Sequence, residues 1–292
     1  MDDFKEKYLS PFLPHSFEWS EEETKVHEEV PFSGDEFTDL PLFDEEDKEI
    51  LMHRDVHFSG SFGAMLEYYT QEDAKGIQPE IEPGRIAFLE RIQNLFKKDL
   101  ASLLLSGADA ERVAKMRKLH AELQGVAEQN PASPEGILAE SILSEDEIET
   151  IVEQASQVLL DKPEVLLPLV SSEEFLDPLS PGYGLAPLLA IELLGKAKYQ
   201  GAIRDLFLCI GRSDEQMETA ALSALKNIGE EAKRFGIKIL KSRPITLDTE
   251  RAALVLTHFL PDTEVQALFL EQLQDPGVKG TLKQYLAGAS AG

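Results

Sequence analysis

The feature that most constrains the fold is a recurrence of paired apolar, helix-like segments every 32 to 34 residues between about Gly184 and Leu286. Ala190, Leu194 and Gly195 recur 34 residues later as Ala224, Ile228 and Gly229, and Leu222, Ala224 and Ile228 recur 32 residues later as Leu254, Leu256 and Leu260. A period of this length is typical of stacked helical hairpins. Pro261 stands at the position of Gly195 and Gly229, so we expect these three residues in turns.

The second helix of each pair carries its own apolar stripe. The stripe residues are Ile203, Leu206, Phe207 and Ile210 in the first pair, Phe235, Ile239 and Leu240 in the second, and Val265, Leu268 and Phe269 in the third. Gln272 stands where Ile210 stood, so the repeat is degenerate. On these residues, roughly the last 110 of the chain resemble the HEAT-like family of α-solenoids. The resemblance implies a curved stack of antiparallel helix pairs that serves as a binding surface, and it implies no catalytic residue; the alternative is an irregular helical bundle.

The charge of the chain limits its partners. The 292 residues include 54 acidic and 28 basic ones, a formal net charge of −26. This charge disfavours the phosphate backbone of nucleic acid and anionic membrane surfaces. The acidic start lacks the basic and apolar regions of a signal peptide, and no apolar run reaches the roughly 18 to 20 residues that span a bilayer. We expect a cytoplasmic protein with a protein partner and no cofactor.

The first 50 residues concentrate this acidity, with 17 acidic and 4 basic residues, and also contain eight aromatic ones. Two interpretations stay open: an extended arm that packs its aromatic side chains on the helical body, or a segment that folds on a partner. Composition therefore divides the chain into an acidic aromatic arm at 1–50, a helical domain at 51–160 and HEAT-like repeats at 161–292. The expected fold class is all-α, with helical hairpins stacked as a short solenoid.

The middle of the chain predicts several helices. Ser61 is a candidate cap for a helix with Phe62 and Met65 inward, one long helix is expected from Pro83 to Ser106, and another from about Ala108 to Glu128. Ser144, Ser171 and Ser213 each precede an acid or amide by three residues, as in capping boxes. Cys209 lies in an apolar stripe, so we expect it to be buried.

The run His53-Arg54-Asp55-Val56-His57 is the candidate for chemistry. If Glu49 to Phe58 formed a strand, His53, Asp55 and His57 would share one face and could bind a metal ion. In the alternative, Arg54 and Asp55 pair and the histidines make ordinary hydrogen bonds.

Basic residues of the repeats give a further candidate surface. They are Lys196, Lys198, Arg204, Arg212, Lys226, Lys233, Arg234, Lys238, Lys241, Arg243 and Arg251. They form either a strip that binds nucleic acid or a solvated helix face interleaved with Glu and Asp. We expect a non-enzymatic protein–protein interaction scaffold or adaptor; the alternatives are a metal-dependent enzyme using His53, Asp55 and His57, and a nucleic-acid binder.

Overall fold

The computed structural model describes residues 43–71, 77–211 and 214–290, and within these ranges the fold is all-α, with no strand. Helices account for most of these residues, as predicted. The chain divides into two compact units. Of the described residues, unit 1 contains 43–71 and 80–115, and unit 2 contains 77–79 and 116–290. The three-part division predicted from composition stays a prediction, since most of the arm lies outside the described residues.

In its described residues, unit 1 contains four helices and the first part of a fifth. They are α1 (Glu45–His57), α2 (Phe62–Thr70), α3 (Pro83–Phe96), α4 (Leu100–Leu104) and α5 (Ala108–Gln129), whose remainder belongs to unit 2. The strand considered at Glu49 to Phe58 is wrong, because this run is helical. Its helix begins in a capping box: the Asp44 carboxylate accepts from the Asp47 backbone N at 3.0 Å, and the Asp47 carboxylate accepts from the Asp44 backbone N at 3.1 Å.

The next helices test the predictions for the middle of the chain. Ser61 caps α2 as expected, its Oγ accepting from the Ala64 backbone N at 3.2 Å. The long helix predicted after Pro83 is instead two helices. Lys97 adopts a left-handed φ of 52°, and Asp99 then caps α4 by accepting from the Ser102 backbone N at 2.9 Å.

Unit 2 contains the remainder of α5 and ten further helices within the described residues. These are α6 (Pro134–Leu143), α7 (Ile148–Leu159), α8 (Leu167–Val170), α9 (Ala186–Lys196), α10 (Ile203–Cys209), α11 (Glu215–Ile228), α12 (Glu230–Leu240), α13 (Leu247–Thr257), α14 (Thr263–Leu273) and α15 (Gly280–Ser290). Short 3₁₀ helices occupy Pro163–Leu166, Glu174–Leu176 and Gln200–Ala202. A continuous apolar core runs from α6 to α15, and Cys209 is buried in it, as predicted.

The predicted helix pairs correspond to α9 with α10, α11 with α12, and α13 with α14. Gly229, at a φ of 85°, joins α11 to α12, and Pro261 lies in the turn before α14, as expected. The prediction for Gly195 is wrong, because this residue lies inside α9, where the helix approaches α11 closely. A Cβ atom at Gly195 would lie 2.8 Å from the Ala224 Cα, so only glycine fits this crossing.

Neighbouring helices of the repeat region pack on one another in succession. Extensive contacts join α9 to α11, α10 to α11, α12 to α13, and both α13 and α14 to α15. The contact between α11 and α13 is small by comparison. The regular superhelical stack of a HEAT-like solenoid therefore stays a prediction.

The predicted capping boxes are not the caps that the structure uses. Glu147 precedes α7 instead of Ser144, and Glu173 precedes the 3₁₀ helix at Glu174 instead of Ser171. Ser213 lies outside the described residues, and Asp214 caps α11 by accepting from the Met217 backbone N at 2.9 Å. None of the helices in the described ranges combines the length and hydropathy that crossing a bilayer would require.

Candidate functional site

Unit 2 contains a groove of about 930 Å³ between α7, α9 and α11. Its lining combines an apolar floor with a charged and polar rim. The floor residues are Ile77, Ile148, Val152, Leu185, Leu188 and Ala220; the rim residues are Glu147, Glu149, Glu192, Lys196, Glu215, Gln216, Thr219 and Ser223. All the rim residues are exposed except Glu192, which is half-buried. The groove therefore has buried and half-buried apolar side chains at its floor and solvent-accessible polar groups at its rim.

Helical spacing brings these side chains to one place. On α9 and the residue before it, Leu185, Leu188, Glu192 and Lys196 recur at intervals of three or four residues and so share one face. The α9 helix packs on both α7 and α11, and the close approach at Gly195 fixes its distance from α11. The opposite side of α9 enters the core, which leaves this face for the groove.

Glu192 is the residue of the groove whose pKa is shifted from its ordinary value. Burial raises the pKa of this carboxyl above its ordinary value, and repulsion from Glu149 raises it further. Lys196 opposes both effects but does not cancel them. In the described part of the chain, Glu192 forms no ion pair or hydrogen bond through its carboxylate. A cation brought into the groove would therefore stabilise the ionised form of Glu192.

The predicted metal ligands lie on α1 in unit 1. The structure brings His53 and His57 together, with ring centroids 4.8 Å apart, because they are four residues apart on a helix. His53 is buried, and its Nε2 lies 2.9 Å from the Tyr69 Oη. The Asp55 carboxylate instead accepts from Arg54. The extended geometry on which the metal hypothesis depended is absent from this run.

Over the described ranges, no group of three or more His, Cys, Asp or Glu side chains is placed to hold a metal ion. The assignment of His53, Asp55 and His57 to a metal stays a prediction that elemental analysis of the purified protein would test.

The pairing of Arg54 with Asp55 is part of a larger network. Arg54 is only 1 % exposed, and its Nε and Nη2 donate to the Asp55 Oδ1 at 2.8 and 2.6 Å. Its other bonds reach the Gln93 Oε1 at 2.9 Å and the Asp99 Oδ1 at 2.8 Å. The guanidinium also lies over the Phe62 ring, 4.4 Å from its centroid. Arg54 therefore links α1, on which it lies, to α2, to α3 and to the residue that caps α4.

Several basic residues of the repeats form ion pairs. Lys233 is buried and contacts Asp262 at 2.9 Å and Glu230 at 3.0 Å. The other pairs are Arg234 with Glu230 and Glu231, Arg243 with Asp275, and Arg251 with Asp248. Arg212 lies outside the described residues. These four side chains are paired with acidic ones, as in the alternative to a nucleic-acid strip, and the strip itself stays a prediction.

Sequence reasoning did not find the groove, because its lining comes from segments between Ile77 and Ser223 that only packing brings together. One local signal was present in the sequence: Glu149 and Glu192 are acidic residues next to apolar positions of α7 and α9. Comparison of the chain with protein-family models, with curated proteins and with solved structures found no match.

Proposed function

We propose that this chain is a non-enzymatic protein–protein interaction scaffold whose partner binds in the groove between α7, α9 and α11. The observation that carries the proposal is the composition of the groove, an apolar floor inside an exposed polar rim. Protein interfaces share this arrangement, with an apolar centre that becomes dry and a rim that stays hydrated. A partner would cover the apolar area that the half-buried Ile77, Ile148 and Leu185 still expose, which favours binding.

The helices that form the groove support the same function. They pack on the continuous core of unit 2, so the floor is held by buried side chains such as Leu189 and Ile191 on the inner side of α9. A site on rigid helices loses little conformational entropy when a partner binds. The pairing of Arg234, Arg243 and Arg251 with carboxylates favours this function over the nucleic-acid alternative.

A blocking variant tests the proposal. Ser223 is exposed on the α11 side of the groove, so Ser223→Trp places a bulky ring there without disturbing the core. The matched control is Gln157→Trp, at an exposed position of α7 outside the groove. The measurement is quantitative affinity capture from lysate, followed by reconstitution with the purified candidate partner. We expect Ser223→Trp to lose the partner and Gln157→Trp to retain it; equal capture by both variants contradicts a partner in the groove.

A further inference from the structure

We infer that the occupant of the groove is a basic amphipathic helix, with an apolar face for the floor and Lys or Arg side chains for the acidic rim. This inference rests on the proposed function and names the chemistry of the partner. Its three supports are the hydrophobicity of the floor, the sign of the charge around it, and the position of Glu192.

The floor favours a helical ligand. It presents the half-buried side chains of Ile148 on α7, Leu185 next to α9 and Ile77, which lie beside the buried Val152, Leu188 and Ala220. The described part of the chain contains no strand, so the groove has no sheet edge to which an extended peptide could add. A helix satisfies its own backbone hydrogen bonds and can place apolar residues at i, i+3 or i+4, and i+7 against such a floor.

The rim favours a basic ligand. It carries four carboxylates, those of Glu147, Glu149, Glu192 and Glu215, against the single ammonium of Lys196. An acidic helix would bring like charges together, whereas Lys and Arg on either side of the apolar face would meet opposite charges. The net charge of the whole chain has the same sign and would steer a basic segment toward it.

Glu192 gives the inference its specific contact. Glu192 is half-buried and lies one helical turn after the floor residue Leu188 on α9. Its carboxylate lacks an ion-pair partner in the described part of the chain, and burial together with Glu149 raises its pKa. A Lys or Arg at the edge of the ligand's apolar face would reach this carboxylate and relieve the repulsion from Glu149. Arg suits the site best, because its guanidinium can contact two carboxylates at once.

The test uses the full chain and synthetic peptides of about 18 residues, long enough to form helix in isolation. The first peptide has a Leu stripe at helical spacing and Arg or Lys elsewhere. A second replaces every Arg and Lys by Glu, and a third scrambles the first so that the apolar face disappears. The protein variants are Glu149→Gln/Glu192→Gln and the control Glu153→Gln/Glu271→Gln, which removes the same charge from exposed positions outside the groove.

Fluorescence anisotropy of labelled peptides measures the affinities. We expect the first peptide to bind the wild-type chain and the control variant with the same Kd. Glu149→Gln/Glu192→Gln should weaken that binding about tenfold. The acidic and scrambled peptides should bind at least about tenfold more weakly than the first.

Three outcomes overturn the inference: no binding of the first peptide, equal binding of the acidic or scrambled peptide, or equal losses in the two double variants. Equal losses would mean that the overall charge of the chain, not the groove, attracts the peptide. Failure here is distinguishable from failure of the scaffold function. If Ser223→Trp still removes a captured partner, the groove binds protein of another chemistry; if it does not, the scaffold proposal fails as well.

Discussion

Glu192 affects the stability of the free protein through its raised pKa. Burial and the neighbouring Glu149 raise its folded-state pKa above the ordinary value of 4.5, so the folded chain holds this proton more strongly than the unfolded chain. The contribution of Glu192 to stability is therefore most favourable below that ordinary pKa and falls as the pH rises through the folded-state pKa. Above that range, ionised Glu192 lowers the free energy of unfolding.

We predict that Glu192→Gln stabilises the protein relative to wild type at about pH 7, by less than about 1 kcal/mol because the group is partly solvated. The advantage should shrink as the pH falls toward about 4. Urea unfolding at a series of pH values measures it, and Glu153→Gln, at an exposed position of α7, is the control. A wild-type chain that is more stable than Glu192→Gln at neutral pH would show that Glu192 already has a favourable partner.

At the scale of the helices, the crossing of α9 and α11 depends on a residue without a side chain. Alanine favours helix over glycine by about 1 kcal/mol, yet a Cβ at Gly195 would lie 2.8 Å from both Cα and Cβ of Ala224. We predict that Gly195→Ala destabilises the protein by about 1 to 3 kcal/mol, because the two backbones must separate. The change should also disturb the groove, since both helices line it.

The matched variant for this crossing is Gly125→Ala in α5. A Cβ there would have its nearest contact at 4.0 Å, with the Gln129 Nε2, so the helix propensity of alanine should act unopposed. Gly125→Ala should stabilise the protein by about 0.5 to 1 kcal/mol. Thermal or urea unfolding of the two variants checks the pair, and equal effects would mean that the α9–α11 contact adjusts without cost.

Helix positions were largely predictable from apolar periodicity, with two exceptions in unit 1. The break between α3 and α4 escaped prediction because the apolar spacing continues from Phe96 to Leu100. The break is stabilised by a bond across it, in which the Gln93 Oε1 accepts from the Leu100 backbone N at 3.1 Å, and by Arg54 of α1, which donates to Asp99. His53 to His57 likewise alternates as a strand would, but the capping box at Asp44 starts a helix that includes it.

The end of the repeat at Gln272 has a similar explanation. Gln272 is buried where the repeat position would be apolar, and its Oε1 accepts from the Arg243 Nη2 at 3.0 Å. Arg243 follows α12, 29 residues earlier in the chain. The mismatch that made the repeat degenerate is thus a polar contact between two helical pairs, which one sequence alone does not reveal.

For the molecule as a whole, the sequence predicted the all-α fold class, but neither the groove nor the two units. The pairing of the repeat helices into stacked hairpins stays a prediction. The groove and the two units depend on which faces pack together. The groove requires α9 to pack on both α7 and α11. The close crossing of α9 and α11 depends on Gly195, which the sequence analysis placed in a turn. Unit 1 depends on Arg54, whose partners Gln93 and Asp99 are about 40 residues away. Local patterns carry no information on such pairings.

The division into units leads to a prediction for Arg54. Removal of its guanidinium leaves Asp55, only 17 % exposed, without its partner, and also removes the bonds to Gln93 and Asp99. We predict that Arg54→Met destabilises unit 1 by about 3 kcal/mol. Arg54→Lys should recover little of this, because an ammonium lacks the planar fork that reaches three acceptors. The control, Arg234→Met, breaks exposed pairs and should cost less than about 1 kcal/mol.

Hydrogen exchange of the full chain shows where the stability is lost. Because the contacts of Arg54 lie inside one compact unit, its loss should raise exchange in α1 to α4 and leave α9 to α14 at wild-type protection. Gly195→Ala should raise exchange in α9 to α14 and leave α1 to α4 at wild-type protection. The α5 helix, whose residues belong to both units, should respond to Arg54→Met in its first part only. Uniform loss of protection along the chain in either variant would mean that the two contact clusters unfold as one cooperative body.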